Sequence, residues 1–343
     1  MNIVVSEFAT DDKKRWNDYV LKNADATFFH DAGWKSVLER AFGHRTFFLK
    51  AERGDTIVGI LPLAQVNSVI FGNTLSSLPF CVYGGVVADD QAVADALRME
   101  ACKLAEDLGV GALEIRAHLP TGVDWPQKDL YVTFKKVIDP DDEVNLKAIP
   151  NRQRAMIRKG IANGLQSEWD SGVDRLYRVY SESVRNLGTP VFSERYLSIL
   201  REEFGERCSS LMITHQGRDV AGVLSFYFRD EVLPYYGGSV ADARNIKGTN
   251  DFMYWELMRR SREQGCAVFD FGRSKKGTGP FKFKKNWGFT PADLPYQYYL
   301  VKSKAVPELN PLNPKYRLMV NTWSKLPLPV ANFIGPFLAK SLG

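Results

Sequence analysis

Several short stretches of this sequence carry residue types that could do chemistry on an anionic substrate. The loop Arg244-Asn245-Ile246-Lys247-Gly248-Thr249-Asn250 leads directly into a helix expected from Asp251. Free backbone N–H groups and the positive end of the helix dipole make such a start an anion site, and Gly248 would let a phosphate approach closely. Arg244 and Lys247 add cationic side chains, and the plainer alternative is that Thr249 or Asn250 merely caps the helix. Asp270 and Arg273 fall at the end of an apolar strand, where a carboxylate could take the proton of an incoming ammonium; a buried Asp–Arg pair is the competing reading. Tyr235 and Tyr236 could protonate a leaving thiolate or ribose oxygen, or simply pack within a strand. In Gly277–Gly288, Lys282 and Lys284 alternate with Phe281 and Phe283, so on a strand both lysines would share one side. There they could neutralise phosphate or a developing oxyanion, unless they form a solvated face. On a helix, Arg154 and Arg158, with Arg152 and Lys159 beside them, would form a compact anion-binding surface for substrate phosphate.

The elements that must hold these residues repeat along the chain. Val58–Leu63 resembles Ala221–Phe226, and both read as short apolar strands; each is followed by a Tyr-Gly-Gly unit, at Tyr83 and at Tyr236. Farther on, Leu113–Arg116 and Phe269–Arg273 each place an acid and an arginine on a strand. Between them, Val93, Leu97, Ala101, Leu104 and Leu108 share a helical face ended by Gly109, and Met253, Tyr254, Leu257 and Met258 do the same before Gly265. Trp34, Val37, Leu38, Ala41 and Phe42 before Gly43 predict another helix. Helices, a strand hairpin, then helix and strand make a mixed α/β arrangement rather than a regular βαβ alternation. Neither half contains the glycine fingerprint of a dinucleotide fold or of a P-loop.

A chain of 343 residues suggests two domains, and 45% hydrophobic with 25% charged residues suits a folded globular protein. The net charge of +5 points toward anionic ligands without requiring nucleic acid. Cys81, Cys102, Cys208 and Cys266 are scattered and the histidines few, so neither a disulfide framework nor a metal site is signalled. The N-terminus has no basic region before an apolar run, and a cytoplasmic location is expected. The tail from Trp323 to Leu342 mixes apolar residues with Pro327, Pro329 and Pro336, which prevent one continuous helix. It either packs on its own protein or, with Lys325 and Lys340 at its ends, forms an interfacial foot at the inner membrane.

The order of these motifs resembles the FemAB-like family, relatives of the Fem aminoacyltransferases within the GNAT acyltransferase fold. The resemblance is carried by Phe29–Trp34, Ser77–Phe80 with Tyr83-Gly84-Gly85, Arg154–Lys159, Tyr236–Ser239, Phe269–Ser274, and Phe281-Lys282 with Trp287-Gly288. Asn313-Pro314-Lys315-Tyr316-Arg317 and the proline-rich tail resemble the subgroup associated with PEP-CTERM and exosortase systems, which implies a role in exopolysaccharide or envelope assembly. The family implies an α/β fold of two tandem GNAT-like acyl-CoA N-acyltransferase domains around a central cleft, expected at 1–145 and 146–302, with a tail over 303–343. The long coiled-coil arm of some tRNA-using Fem enzymes is missing. The expected function is acyl or aminoacyl transfer to a cell-envelope or exopolysaccharide precursor, an anionic sugar or lipid-linked acceptor, with acyl-CoA or aminoacyl-tRNA as donor and no tightly bound cofactor. Within it, Asp270, Lys282 and Tyr236 are the catalytic candidates. Arg244, Lys247, Gly248, Thr249 and Asn250 would bind the donor; Arg154, Arg158, Tyr83, Arg273 and Lys284 would bind substrate. A peptidoglycan-type transferase using aminoacyl-tRNA and a non-catalytic binder of polysaccharide or lipid-linked sugar are the alternatives.

Overall fold

The computed structural model of the chain describes residues 2–68, 71–119, 121–306 and 314–342, and Asn313 of the subgroup motif lies outside them. Along the first part run β1 (Val4–Glu7), α1 (Lys13–Lys22), α2 (Gly33–Phe42), β2 (Arg45–Arg53), β3 (Thr56–Ser68), β4 (Gly72–Ser76), β5 (Val87–Ala88), α3 (Gln91–Asp107), β6 (Ala112–Arg116) and β7 (Gln127–Lys128). Next come β8 (Tyr131–Val137), α4 (Asp142–Ala148), α5 (Asn151–Ala162), β9 (Gln166–Asp170), α6 (Asp174–Asn186), α7 (Glu194–Phe204), β10 (Cys208–His215), β11 (Arg218–Phe228) and β12 (Glu231–Ser239). The chain closes with α8 (Thr249–Glu263), β13 (Val268–Asp270), β14 (Ser274–Lys275), α9 (Gly279–Asn286), β15 (Pro291–Asp293), β16 (Tyr296–Leu300), α10 (Pro314–Trp323) and α11 (Leu328–Ala339).

These elements form two compact units. The first holds Met1–Tyr131, Asp293–Leu309 and Lys340–Gly343; the second holds Val132–Ala292 and Asn310–Ala339. Each has its own mixed sheet, as the repeat requires.

In the first unit the strand order is β1-β2-β3-β4-β6-β16-β7, with β5 on β3. The buried face of α3, Val93, Leu97, Ala101 and Ala105, packs into a core with Leu61, Leu63, Leu75 and Leu113. Asp90 caps α3 by accepting from Val93 N at 3.0 Å, which satisfies one of the orphan donors of the first turn. The loop after β4 is held from below by Arg116, whose guanidinium donates to Leu78 O at 3.1 Å and Cys81 O at 2.8 Å. Leu78 and Phe80 there adopt φ of 59° and 69°, a backbone region costly for residues with a Cβ. His30 is fully buried beneath the same loop, its Nδ1 accepting from Thr27 N at 3.0 Å and its Nε2 donating to Gly85 O at 2.9 Å. Burial, with His118 nearby, pushes its pKa down to about 3, so the ring is neutral.

In the second unit the order is β14-β8-β13-β12-β11-β10-β9, with β15 on β8. Its core gathers Phe134, Ile157, Leu211, Val223, Leu257, Phe269 and Trp287. The tail breaks at Pro327, between α10 and α11, but α11 runs on through Pro329 in its first turn and Pro336 in its interior, so those two prolines do not interrupt the helix as the sequence pattern suggests.

The two Tyr-Gly-Gly units differ. Tyr236-Gly237-Gly238 lies within β12, whereas Tyr83-Gly84-Gly85 lies in the irregular loop before β5. The Tyr83 ring is buried against Phe29 and His118, at centroid distances of 5.8 and 5.4 Å. Tyr83, expected to touch substrate, is therefore a packing residue of that loop.

Candidate functional site

The second unit's sheet contains one departure from regular pairing that concentrates the candidate residues. β12 and β13 run parallel and pair at Glu231↔Val268 and Val232↔Phe269, after which β13 ends at Asp270 while β12 continues to Ser239. On its other side β12 slips register against β11, with Leu224 opposite Tyr236 and Ser225 opposite Pro234, so Tyr235 is an extra residue. A bulge of this kind sharpens local twist and turns the strand's distal half. Two parallel strands that part in this way leave backbone groups along a wedge, which suits an extended ligand.

The helix that follows β12 does not begin as an open anion cradle. Gly248 is the N-cap of α8 at φ 94°, and a Cβ there would lie 2.2 Å from Met156 O and 2.8 Å from Gly160 N. Its small size therefore serves the close crossing of α5 over the start of α8, not the approach of a phosphate. Thr249 is buried and its hydroxyl donates to Ile246 O at 2.8 Å. Asp251, also buried, already places a carboxylate in the first turn, where Trp287 Nε1 donates to it at 2.9 Å. Burial raises the Asp251 pKa above its usual value even with that bond. The packed start of α8 corrects the expectation that Gly248 and Thr249 bind the donor directly; Arg244, Lys247 and Asn250 remain exposed at its rim.

The same crossing brings together three basic segments that are far apart in sequence. α5 carries Arg152, Arg158 and Lys159 exposed and Arg154 half-buried, in the helix expected of it. Asn163 at its end donates to Lys247 O at 3.0 Å, tying it to the loop of Arg244 and Lys247. At its start, Pro150 lies 3.2 Å from where a Cβ on Gly288 would sit, so the end of α9 abuts α5 as Trp287 abuts α8. Between Arg273 and Lys285 the charged residues are Arg273, Lys275, Lys276, Lys282, Lys284 and Lys285, all basic. Lys275 and Lys276 were missed as site residues, although the unbroken run of one sign was visible. Like charges gathered without acids raise the local concentration of an anionic ligand.

Phe281–Lys285 is helical, not a strand: α9 spans Gly279–Asn286 with Thr278 at its N-cap and Pro280 at its start. Positions two apart on a helix diverge, so the lysines part. Lys282 is exposed, whereas Lys284 turns inward and donates to Phe271 O at 2.6 Å, Gly272 O at 3.0 Å and Arg273 O at 3.1 Å. Its three ammonium protons thus clasp the turn that leaves β13, and the role expected for Lys284 against substrate becomes one of positioning. Burial, partly offset by Asp270, pushes its pKa down to about 8. NMR of isotopically labelled lysine side chains should show one lysine titrating near pH 8 that disappears in Lys284→Met; a spectrum with every lysine titrating at its ordinary value contradicts this geometry.

Asp270 was expected to act as a base. It is instead fully enclosed, with Oδ1 accepting from Gly272 N at 2.7 Å and Thr133 Oγ1 at 3.4 Å, and Oδ2 3.3 Å from Lys135 Nζ. Burial opposes the Lys135 charge, yet Asp270 and Glu231 hold its pKa above the ordinary value. Oxygens so occupied fix the turn at Gly272 and bind β13 to β8, and their geometry is that of a positioning group. Lys135 escaped the sequence reading because nothing local links it to a residue so distant in the chain. Tyr236, the expected proton donor, is buried among Tyr180, Phe192 and Tyr235, and its hydroxyl is 2.8 Å from that of Tyr196. It too belongs to packing. Arg273 stays at the wedge, half-buried after the clasped turn. Among the described residues no group of His, Cys, Asp and Glu could hold a metal ion.

With this geometry in view, the likenesses to known proteins take on meaning. Residues 151–285, all within the second unit, match the family described as Acetyltransferase (GNAT) domain. The crystal structure of FemX superposes with a TM-score of 0.67 at 13% identity, covering 93% of this chain and 100% of that one. L-PGS from Bacillus licheniformis gives 0.57 at 13% identity, over 94% and 99% of the two chains. A tandem GNAT protein from the clavulanic acid biosynthesis pathway gives 0.56 at 12% identity, over 89% and 100%. No curated protein matches the sequence. At such identities the likeness is one of fold: the chain is built of two tandem GNAT-like units, and the second carries the acetyltransferase-domain match.

Proposed function

We propose that the chain transfers an acyl or aminoacyl group from an anionic carrier to a cell-envelope or exopolysaccharide precursor. The observation that carries this reading is the convergence of α5, the turn Arg244–Lys247 and the segment Arg273–Lys285, each with only basic residues among its charges, beside the parting of β12 and β13. Acyl-CoA is the donor that suits it best. Its pantetheine arm can lie along a strand edge while its phosphates meet Arg244, Lys247 and Arg158. In the transfer the acceptor's nitrogen or oxygen attacks the acyl carbonyl carbon, the bond from that carbon to the carrier's sulfur breaks, and the nucleophile's proton ends on the departing thiol. Lys282, exposed on α9, is the cation left to meet the developing oxyanion, while Asp270 and Lys284 hold the turn beside it. In this reading Arg154, half-buried on α5, meets the anionic acceptor. In this reading the protein works in the cytoplasm.

Thermal shift with acetyl-CoA tests the donor. Saturation near one hundred times the dissociation constant should add about 2.7 kcal/mol and raise Tm by roughly 5 °C or more. Lys247→Glu with Arg158→Glu should weaken binding by about tenfold or more, and mass measurement of sugar-amine acceptors should show the added acyl group. Transfer of labelled amino acid from charged tRNA, abolished by ribonuclease, would replace the donor with aminoacyl-tRNA. Silence with both donors, alongside retained affinity for polysaccharide, would leave the non-catalytic binder as the reading.

A further inference from the structure

The C-terminal helix α11 wears its apolar residues the wrong way round for a helix buried in its own protein. Ala331, Gly335 and Ala339, four apart, form the inner face and are buried, and a Cβ on Gly335 would sit 3.0 Å from the backbone N and O of Val191. Asn332 adds one polar tie, donating to Ser181 Oγ on α6 at 3.3 Å. The large residues face outward: Phe333 is 75% exposed, Phe337 63%, Val330 40% and Ile334 39%. Phe333 and Phe337 lie side by side, 6.1 Å between centroids, so the exposure is one contiguous ridge. Burying large apolar side chains is what normally drives a helix onto its protein, so small residues inside and large ones outside mean that the ridge is made for another apolar phase.

The charges on this segment say which phase. From Asn310 to Gly343 the charged residues are Lys315, Arg317, Lys325 and Lys340, with no acid among them. Lys325 and Lys340 stand exposed just before and just after α11, so the ridge is bracketed by cations. α11 has 12 residues, about 18 Å of helix against roughly 30 Å of bilayer hydrocarbon, and among the described residues no helix is long and apolar enough to cross a membrane. A short helix with an apolar ridge and flanking lysines lies in the plane of the headgroups, its aromatic rings in the acyl boundary and its ammonium groups on anionic phosphates.

We infer that α11 is a peripheral foot by which the protein rests on an anionic lipid surface, through Val330, Phe333, Ile334 and Phe337 with Lys325 and Lys340 at either end. The inference is independent of which donor the second unit binds. It is tested by co-sedimentation of the full chain with vesicles of phosphatidylcholine alone or mixed with phosphatidylglycerol. The chain should pellet with the mixed vesicles and much less with the neutral ones, and raising salt from about 0.1 M to about 1 M should weaken the binding. Phe333→Ser with Phe337→Ser should lower the partition coefficient by about tenfold or more. Lys325→Glu with Lys340→Glu should lower it by about fivefold for each lysine. Because all four side chains are exposed, both double variants should keep Tm within about 2 °C of the wild type, which separates lost binding from lost folding. A wild-type chain that stays in the supernatant with phosphatidylglycerol vesicles overturns the proposal, as does unchanged binding by the phenylalanine variant. A wild-type dimer in analytical ultracentrifugation that becomes monomeric in that variant would also overturn it, since a second copy would then cover the ridge.

Discussion

Gly248→Ala is expected to destabilise the protein by about 3 kcal/mol, roughly 1 to 2 kcal/mol from forcing a Cβ into a left-handed backbone and the rest from overpacking. The backbone at Gly248 has φ 94°, and the added methyl would meet Met156 O at 2.2 Å and Gly160 N at 2.8 Å. Neither atom can rotate aside. To accept the methyl, α5 would have to lift from α8, and Phe252, itself packed on Gly160, would move with it. Denaturant titration should show the loss in full, and Tm should fall by about 8 °C, at two to four degrees per kcal/mol for a unit of this size. If the variant is as stable as the wild type but no longer binds acetyl-CoA, then the glycine was making room for a ligand and not for a helix.

The second large effect is a pH dependence located in the first unit. His30 has a folded pKa near 3 against 6.5 for the free side chain, so its folded value is depressed. The sign follows: the stability it contributes is fully present above pH 6.5 and is lost as pH falls toward 3. One proton taken up on unfolding gives a slope of about 1.4 kcal/mol per pH unit, so the loss approaches about 4 kcal/mol across that window. The structural cause is plain. Nδ1 accepts from Thr27 N–H, and a second proton there would face that donor inside a fully buried site. His30→Gln, measured by urea unfolding at several pH values, should have a flatter acid limb than the wild type by that slope, since the carboxylates contribute equally to both. Parallel acid limbs would show that the ring is protonated in the folded state.

Where the pattern was local, the residues announced the structure. Trp34 to Phe42 before Gly43, Val93 to Leu108 before Gly109, and Met253 to Met258 before Gly265 are helices because their apolar spacing closes one face and a glycine ends it. The arginines at 154 and 158 lie on a helix for the same reason. Phe281–Lys285 failed because a period of two over five residues imitates a strand, while the stronger signals, Thr278 as a cap and Pro280 in the first turn, lay just upstream. Tyr83 and Tyr236 failed differently. Each sits beside a glycine pair where a ligand could fit, but the rings that enclose them, His118 and Phe29 for one and Tyr196 and Tyr180 for the other, come from other elements. No spacing within a single stretch reports that. Lys284 and Asp270 were found as residues and misread as to their partners, since the carbonyls of Phe271, Gly272 and Arg273 and the ammonium of Lys135 are known only once the chain turns.

β16 has a bearing on how the chain comes into being. It lies between β6 and β7 in the first sheet, with Tyr298 opposite Glu114, yet in the covalent order it follows the whole run Val132–Ala292 of the second unit. A nascent chain leaving the ribosome therefore exposes an incomplete first sheet, with one edge of β6 still open, until Tyr296–Leu300 has been translated. The bulk of the second unit is in effect an insertion within the first, and a polypeptide ending at Tyr131 would lack the strand that closes its sheet.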